Sequence, residues 1–175
     1  MDTKLLKVII GLLSRNLNYE NFRYDLGKSE SSNNYSCVNT LGFLGRYQFG
    51  MARLCDLGLT KRLEGKTGFD NKDFEWCEGY SKEKFLSDHN LQDEIFDKHL
   101  QDIYSQIMRL GLYKYIDFKI REIKITLSGM IAGSHLGGVG GVKTFLTTGF
   151  SATDAYGGTI SNYIKKFAGY NMSIR

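Results

Sequence analysis

Glu30-Ser31-Ser32-Asn33-Asn34-Tyr35-Ser36 is a carboxylate followed by a run of serines and asparagines. Such side chains hydrogen-bond to nearby backbone groups and favour turns over helix interiors. The pattern therefore predicts that Glu30 stands near a helix end, beside a loop. Further on, Gly45-Arg46-Tyr47-Gln48-Phe49 leads through Gly50 into a second helical stretch. There Met51, Leu54, Cys55 and Leu57 recur at three- and four-residue spacing, and Gly58 is suited to the position just past the cap.

Outward from this stretch the chain reads as mostly helical. Leu5, Leu6, Ile9, Leu12 and Leu13 predict a first helix over about residues 3–14. The segment from Lys61 to Gly79 is charged and carries three glycines, which predicts a surface excursion that keeps Phe69, Phe74 and Trp76 for packing. From Ser81 to about Leu110 the apolar spacing predicts a short helix and then a long one, with Asp88 as N-cap of the latter. Residues 112–125 carry both two-residue and helical spacings, so strand and helix compete there. Thr126 or Ser128 starts a helix through Met130-Ile131-Ala132, and a last pair covers about Gly140–Leu146 and Thr153–Phe167. The absence of strand-then-helix alternation argues against a parallel-sheet nucleotide enzyme.

The length of 175 residues fits a single domain spanning 1–175, with enough chain for a real core. Lys plus Arg is 23 against 19 for Asp plus Glu, a net +4 spread over a mixed-sign chain. That balance carries no basic stripe of the kind a nucleic-acid binder uses. Proline is absent and glycine reaches 20, so backbone exceptions fall on glycine. Cys37, Cys55 and Cys77 share no metal-ligand spacing and are expected as reduced thiols, with one disulfide as the alternative. Lys7 interrupts the apolar N-terminal stretch and no small-x-small cleavage site follows, which argues against a classical signal peptide. No run reaches the 18 or so apolar residues needed to span a bilayer, so no stable membrane insertion is expected.

Gly137-Gly138-Val139-Gly140-Gly141-Val142-Lys143-Thr144 imitates a phosphate loop but fails by register, because Val142 separates the last glycine from Lys143. Two readings remain for these glycines: close approach of two helices or a bend of the main chain between them, or backbone N–H groups bared to a ligand. His135 either binds a ligand through a ring nitrogen or holds its loop by a backbone hydrogen bond. His89 and His99 lack ligand companions, and Ser134-His135 lacks a nucleophile elbow and an orienting acid. Neither a metal nor a cofactor is implied.

Glu30-Ser31-Ser32-Asn33-Asn34-Tyr35, then Gly45-Arg46-Tyr47-Gln48-Phe49, then Ile131-Ala132-Gly133-Ser134-His135-Leu136-Gly137-Gly138 resemble, in order and separation, the motifs of the lysozyme-like superfamily. The resemblance is to its lytic transglycosylase and goose-type muramidase branch, phage and secretion-associated versions included, and covers most of residues 25–165. It implies a mainly α, lysozyme-like fold with a substrate groove. It implies Glu30 as catalytic acid, Ser31 as its helix-end neighbour, Tyr47 and Gln48 as cleft residues, and Ser134, His135, Gly137 and Gly138 on the opposing wall. One departure is that His135 and Leu136 stand where the commoner pattern has Asn and a small residue.

Glycoside cleavage needs a carboxylic acid that protonates the leaving sugar oxygen, and an apolar wall would keep Glu30 protonated for that task. Phe43, Tyr47 and Phe49 are nearby in sequence as wall material. Glu20, Asp25, Asp56 and Asp154 are the candidates for a second carboxylate, although such residues are more often caps or surface charges than bases. Tyr47, Tyr156 and Tyr163 are candidate sugar-stacking rings, and Gln48 is suited to an N-acetyl group. Arg46 is suited to a lactyl or peptide-stem carboxylate, or to a local salt bridge. The expected activity is cleavage of the N-acetylmuramic acid to N-acetylglucosamine β-1,4 linkage of peptidoglycan, lytic transglycosylase before hydrolytic muramidase. A noncatalytic peptidoglycan-binding or envelope-assembly module is the alternative. Peptidoglycan glycan strands are the expected partner, with a delivery machine or immunity protein also compatible. The expected location is the cell wall or periplasm, reached by lysis, phage particle or specialised secretion.

Overall fold

The computed structural model describes residues 19–153 and 155–172. The helix expected over residues 3–14 and the candidate Asp154 lie outside the described residues. The fold is mainly α. Helix α1 covers residues 19–31, followed by α2 (Met51–Asp56), β1 (Thr60–Arg62), β2 (Phe74–Trp76), α3 (Lys82–Ser87) and α4 (His89–Arg109). Next come β3 (Lys119–Ile120), β4 (Ile123–Lys124), α5 (Leu127–Thr148) and α6 (Ile160–Lys166). The described residues group into two compact units, one of Tyr24–His99 and one of residues 19–23 together with those from Leu100 onward.

In the Tyr24–His99 unit, Leu26, Leu44, Tyr47, Phe49, Leu54, Leu59, Phe85, Ile95 and Phe96 are buried. Helix α2 ends as its sequence requires: Gly58 adopts φ 85° just past the cap. Its N–H donates to the Cys55 carbonyl and the Leu59 N–H to the Leu54 carbonyl, which closes the helix end by a Schellman arrangement. The charged segment after it is a hairpin, with Thr60 opposite Trp76 and Arg62 opposite Phe74. The loop between its strands is built around Asp73, whose carboxylate accepts from Gly68 N–H at 2.9 Å and Thr67 hydroxyl at 3.1 Å. Phe74 and Trp76 are half-buried, whereas Phe69 is 97% exposed, so the expectation that it packs is corrected. The loop ties turn its backbone inward and leave that ring outside. Ser81 caps α3 through Lys84 N–H, and Asp88 accepts from Leu91 N–H at the start of α4, as expected. The three thiols are free and half-buried.

In the other unit, residues 112–125 become a short 3-10 turn and then a hairpin, β3 pairing with β4. The alternating segments are thus strands, joined by Arg121 and Glu122, both at positive φ. The two helices expected on either side of the glycine run are both present: α5 (Leu127–Thr148) consists of two helical stretches that follow one another across a break at Gly137 and Gly138, whose dihedrals are non-helical. Gly138 has φ 71° and ψ 161°, a conformation confined in practice to glycine. Helix α6 begins at Ile160, capped by Thr159, later than the expected start at Thr153.

Four glycines at four-residue spacing explain how α5 meets α6. A Cβ on Gly129 would stand 2.5 Å from the Ile164 carbonyl oxygen, and one on Gly133 2.9 Å from Ile164 Cγ1. Cβ atoms on Gly137 and Gly141 would stand 2.6 and 2.5 Å from Ile160 Cδ1. Gly129 and Gly133, four apart in regular helix, share one face, and the break at Gly137 and Gly138 leaves Gly137 and Gly141 both against Ile160, so the four together line a trough for the two isoleucines. Phe167 then stacks edge-on against Phe22 of α1 at 5.8 Å.

Candidate functional site

Glu30 occupies the last turn of α1 and is half-buried. The helix stops one residue later because Ser32 and Asn33 both turn left-handed, at φ 57° and 62°. The Asn33 N–H reaches back to the Gly27 carbonyl, the bond that closes such helix ends. Ser31 then joins this end to the second motif: its hydroxyl donates to the Arg46 carbonyl at 2.8 Å and accepts from Asn34 N–H at 3.0 Å. The serine that follows the carboxylate thus ties the helix end to the second motif, in keeping with its expected place as the helix-end neighbour of Glu30.

Arg46 is held from several sides. Its Nε donates to Asn33 Oδ1 at 2.9 Å and its Nη1 to the Tyr35 hydroxyl at 2.6 Å. Nη1 also lies 3.6 Å from Asp93 Oδ1, and the guanidinium carbon sits 5.2 Å from the Tyr35 ring centre and 5.1 Å from that of Tyr47. Asp93 accepts from the Tyr35 hydroxyl at 3.1 Å and from the Tyr47 hydroxyl at 2.8 Å. Burial raises the Tyr35 phenol above its ordinary value; the Asp93 charge adds to this and Arg46 works against it. Tyr35 stacks on His89 with ring centres 4.0 Å apart.

A buried amide underlies the cluster. Gln92 has no exposed surface, and its Oε1 accepts from Arg46 N–H at 2.9 Å. Its Nε2 donates to the Tyr35 and Phe85 carbonyls at 2.9 and 2.7 Å. Gly45 lies against it closely enough that an added Cβ would collide with the Gln92 amide.

Glu30, Ser31, Arg46, Tyr47 and Gln48 thus share one unit, whereas Ser134, His135, Gly137, Gly138 and Tyr156 belong to the other. Tyr47 has no exposed surface and stacks flat on Phe96 at 3.8 Å, so its ring is core and not a sugar platform. Gln48 sits at φ 52° and turns its Nε2 back to the Gly45 carbonyl at 2.8 Å, which takes one end of the amide into the turn. Ser134 is buried, with no hydrogen-bond partner for its hydroxyl among the described residues. Gly137 packs against Ile160, which supports the close-approach reading of that glycine, while Gly138 supplies the bend. His135 is half-buried, and Tyr156 is 62% exposed.

Of the carboxylates considered as partners, Glu20 pairs with Arg23 and Asp56 with Arg53, both as neighbours on their own helices. His99 accepts from Arg53 Nε at 2.8 Å. No group of three or more His, Cys, Asp or Glu suited to a metal occurs among the described residues. None of the described helices is long and apolar enough to cross a membrane.

Asn33, Tyr35, Gln92 and Asp93 were not singled out as site residues by the sequence. A signal for Gln92 existed: it precedes Phe96 by four residues and Leu100 by eight, a polar side chain in the apolar stripe of α4. Asp93 gave none, since a carboxylate beside Glu94 on a helix reads as solvated. No family model, curated protein or solved structure matches the chain.

Proposed function

We propose that the chain is a lysozyme-like enzyme that cleaves peptidoglycan glycan strands between N-acetylmuramic acid and N-acetylglucosamine, with Glu30 as general acid and base. The observation that carries the proposal is the hydrogen bond from the Ser31 hydroxyl to the Arg46 carbonyl. It joins the Glu-Ser helix end to the Gly-Arg-Tyr-Gln segment, the two motifs on which the resemblance first rests.

In the proposed reaction the protonated Glu30 carboxyl gives its proton to the glycosidic oxygen as the bond to the muramic acid C1 breaks. The resulting carboxylate then takes a proton from the muramic acid 6-hydroxyl, whose oxygen closes a 1,6-anhydro ring. In the hydrolytic alternative, water supplies the attacking oxygen. The transglycosylase reading is preferred because one carboxylate serves both of its steps, while Glu20 and Asp56 are engaged with arginines on their own helices.

Muropeptide mass spectrometry on purified sacculi tests the proposal. The wild-type chain should release anhydro-muramic products, and Glu30→Gln should release at least about 100-fold less, the scale of a lost general acid. Reducing muramic ends would select hydrolysis instead. Equal release by wild type and E30Q would remove Glu30 from the chemistry. Saturable glycan binding without any release would select the noncatalytic module.

A further inference from the structure

Arg46 touches the chain on both sides of Glu30. Three residues before it, Gly27 lies under the guanidinium, where an added Cβ would stand 2.6 Å from Arg46 Nε and 3.0 Å from its Cγ. Three residues after it, Asn33 accepts from the same Nε at 2.9 Å. The far end of the guanidinium is fixed by Tyr35 and Asp93, and Gln92 fixes the Arg46 backbone. Of the two roles expected for this arginine, a substrate carboxylate or a local salt bridge, the contacts of Nε and Nη1 match the second, and both point into its own unit.

We propose that Arg46, anchored by Asp93, is a positioning residue that fixes the last turn of α1 and with it the direction of the Glu30 carboxyl. This rests on the reading of Glu30 as the acid. The chemistry favours arginine specifically. A planar guanidinium satisfies Asn33 through Nε and Tyr35 through Nη1 at once, and its face lies over aromatic rings. A lysine ammonium is a single point that keeps the charge near Asp93 and loses the fork. Gly27 belongs to the same device, since only a residue without Cβ lets the guanidinium lie against the helix.

The test compares wild type, E30Q, Arg46→Lys and Gly27→Ala in muropeptide release from purified sacculi, with kcat and KM determined separately and melting followed by circular dichroism. For R46K and G27A the expected result is a fall in kcat of about tenfold to a hundredfold, the scale for a displaced reacting group. KM should stay within about twofold, since uniform substrate binding is untouched. G27A reads the same geometry with Arg46 intact and replaces a helix glycine by the best helix former, so its loss cannot be laid to helix propensity. If R46K fails to fold, G27A decides. A rise in KM at constant kcat would put Arg46 on the substrate and overturn the proposal, as would wild-type kcat in both variants while E30Q is inactive. Wild type and E30Q acting alike would overturn the reading of Glu30, and the positioning role with it.

Discussion

The Gln92 cluster and the α5–α6 contact solve the same problem, fixing one segment against another, by opposite means. Around Gln92, directional polar groups meet one another: an amide, a guanidinium, a carboxylate and two phenols, each paired at hydrogen-bond distance. Between α5 and α6, side chains are removed, and four glycines admit two isoleucines. Hydrogen bonds specify angles as well as distances, whereas apolar contact specifies only shape. The first arrangement suits the aiming of a carboxyl, the task proposed for Glu30, and the second a place where two helices need only be close.

The contrast breaks most severely at Gln92. Leu in its place would leave the Tyr35 and Phe85 carbonyls and the Arg46 N–H without their partner. At ~1–3 kcal/mol for each buried orphan, Gln92→Leu should cost on the order of 4 kcal/mol in urea unfolding. Retention of wild-type stability would mean that the polar cluster contributes no specificity of its own. Gly129→Ala comes next, because its Cβ would meet a main-chain oxygen of α6, which yields less readily than a side chain. A loss of about 2–3 kcal/mol is expected by the same measurement, the range for overpacking. Phe69→Ser should be the smallest, within about 0.5 kcal/mol, since the ring is almost wholly in solvent.

These differences mark what the sequence made legible. Spacing was enough for α2, α3 and α4, because each shows apolar recurrence and a cap residue where the helix begins or ends. The end of α1 was readable from the turn formers after Glu30, although Phe22 and Leu26, buried at i and i+4, were too few to announce its body. The β1–β2 hairpin was hidden because charged, exposed residues are interspersed with its apolar ones: Lys61 pairs with Glu75 across it, so charge in that stretch belongs to strands as well as to loop. At the candidate site, Glu30 and Arg46 were legible as a motif. The groups that direct Arg46 inward lie 13 positions away at Asn33, 11 at Tyr35 and 47 at Asp93, distances that neither helical nor strand periodicity spans. The same limit put Tyr47 in the expected cleft, since a tyrosine between polar neighbours gives no sign of stacking on Phe96.

The trough on α5 also constrains which mutational routes are open to it. Cβ atoms added at Gly137 and Gly141 would meet the same atom, Ile160 Cδ1, but one at Gly137 would also stand 2.7 Å from Cγ1, whereas one at Gly141 would stand 3.9 Å from it. Ile160→Val removes Cδ1 alone. Gly141→Ala should therefore be harmful in the native background and tolerated after Ile160→Val, while Gly137→Ala should remain harmful in both, as paired melting curves would register. Two glycines on either side of the same bend thus have different histories available to them: one can be exchanged once its neighbour has yielded a methyl group, and the other cannot.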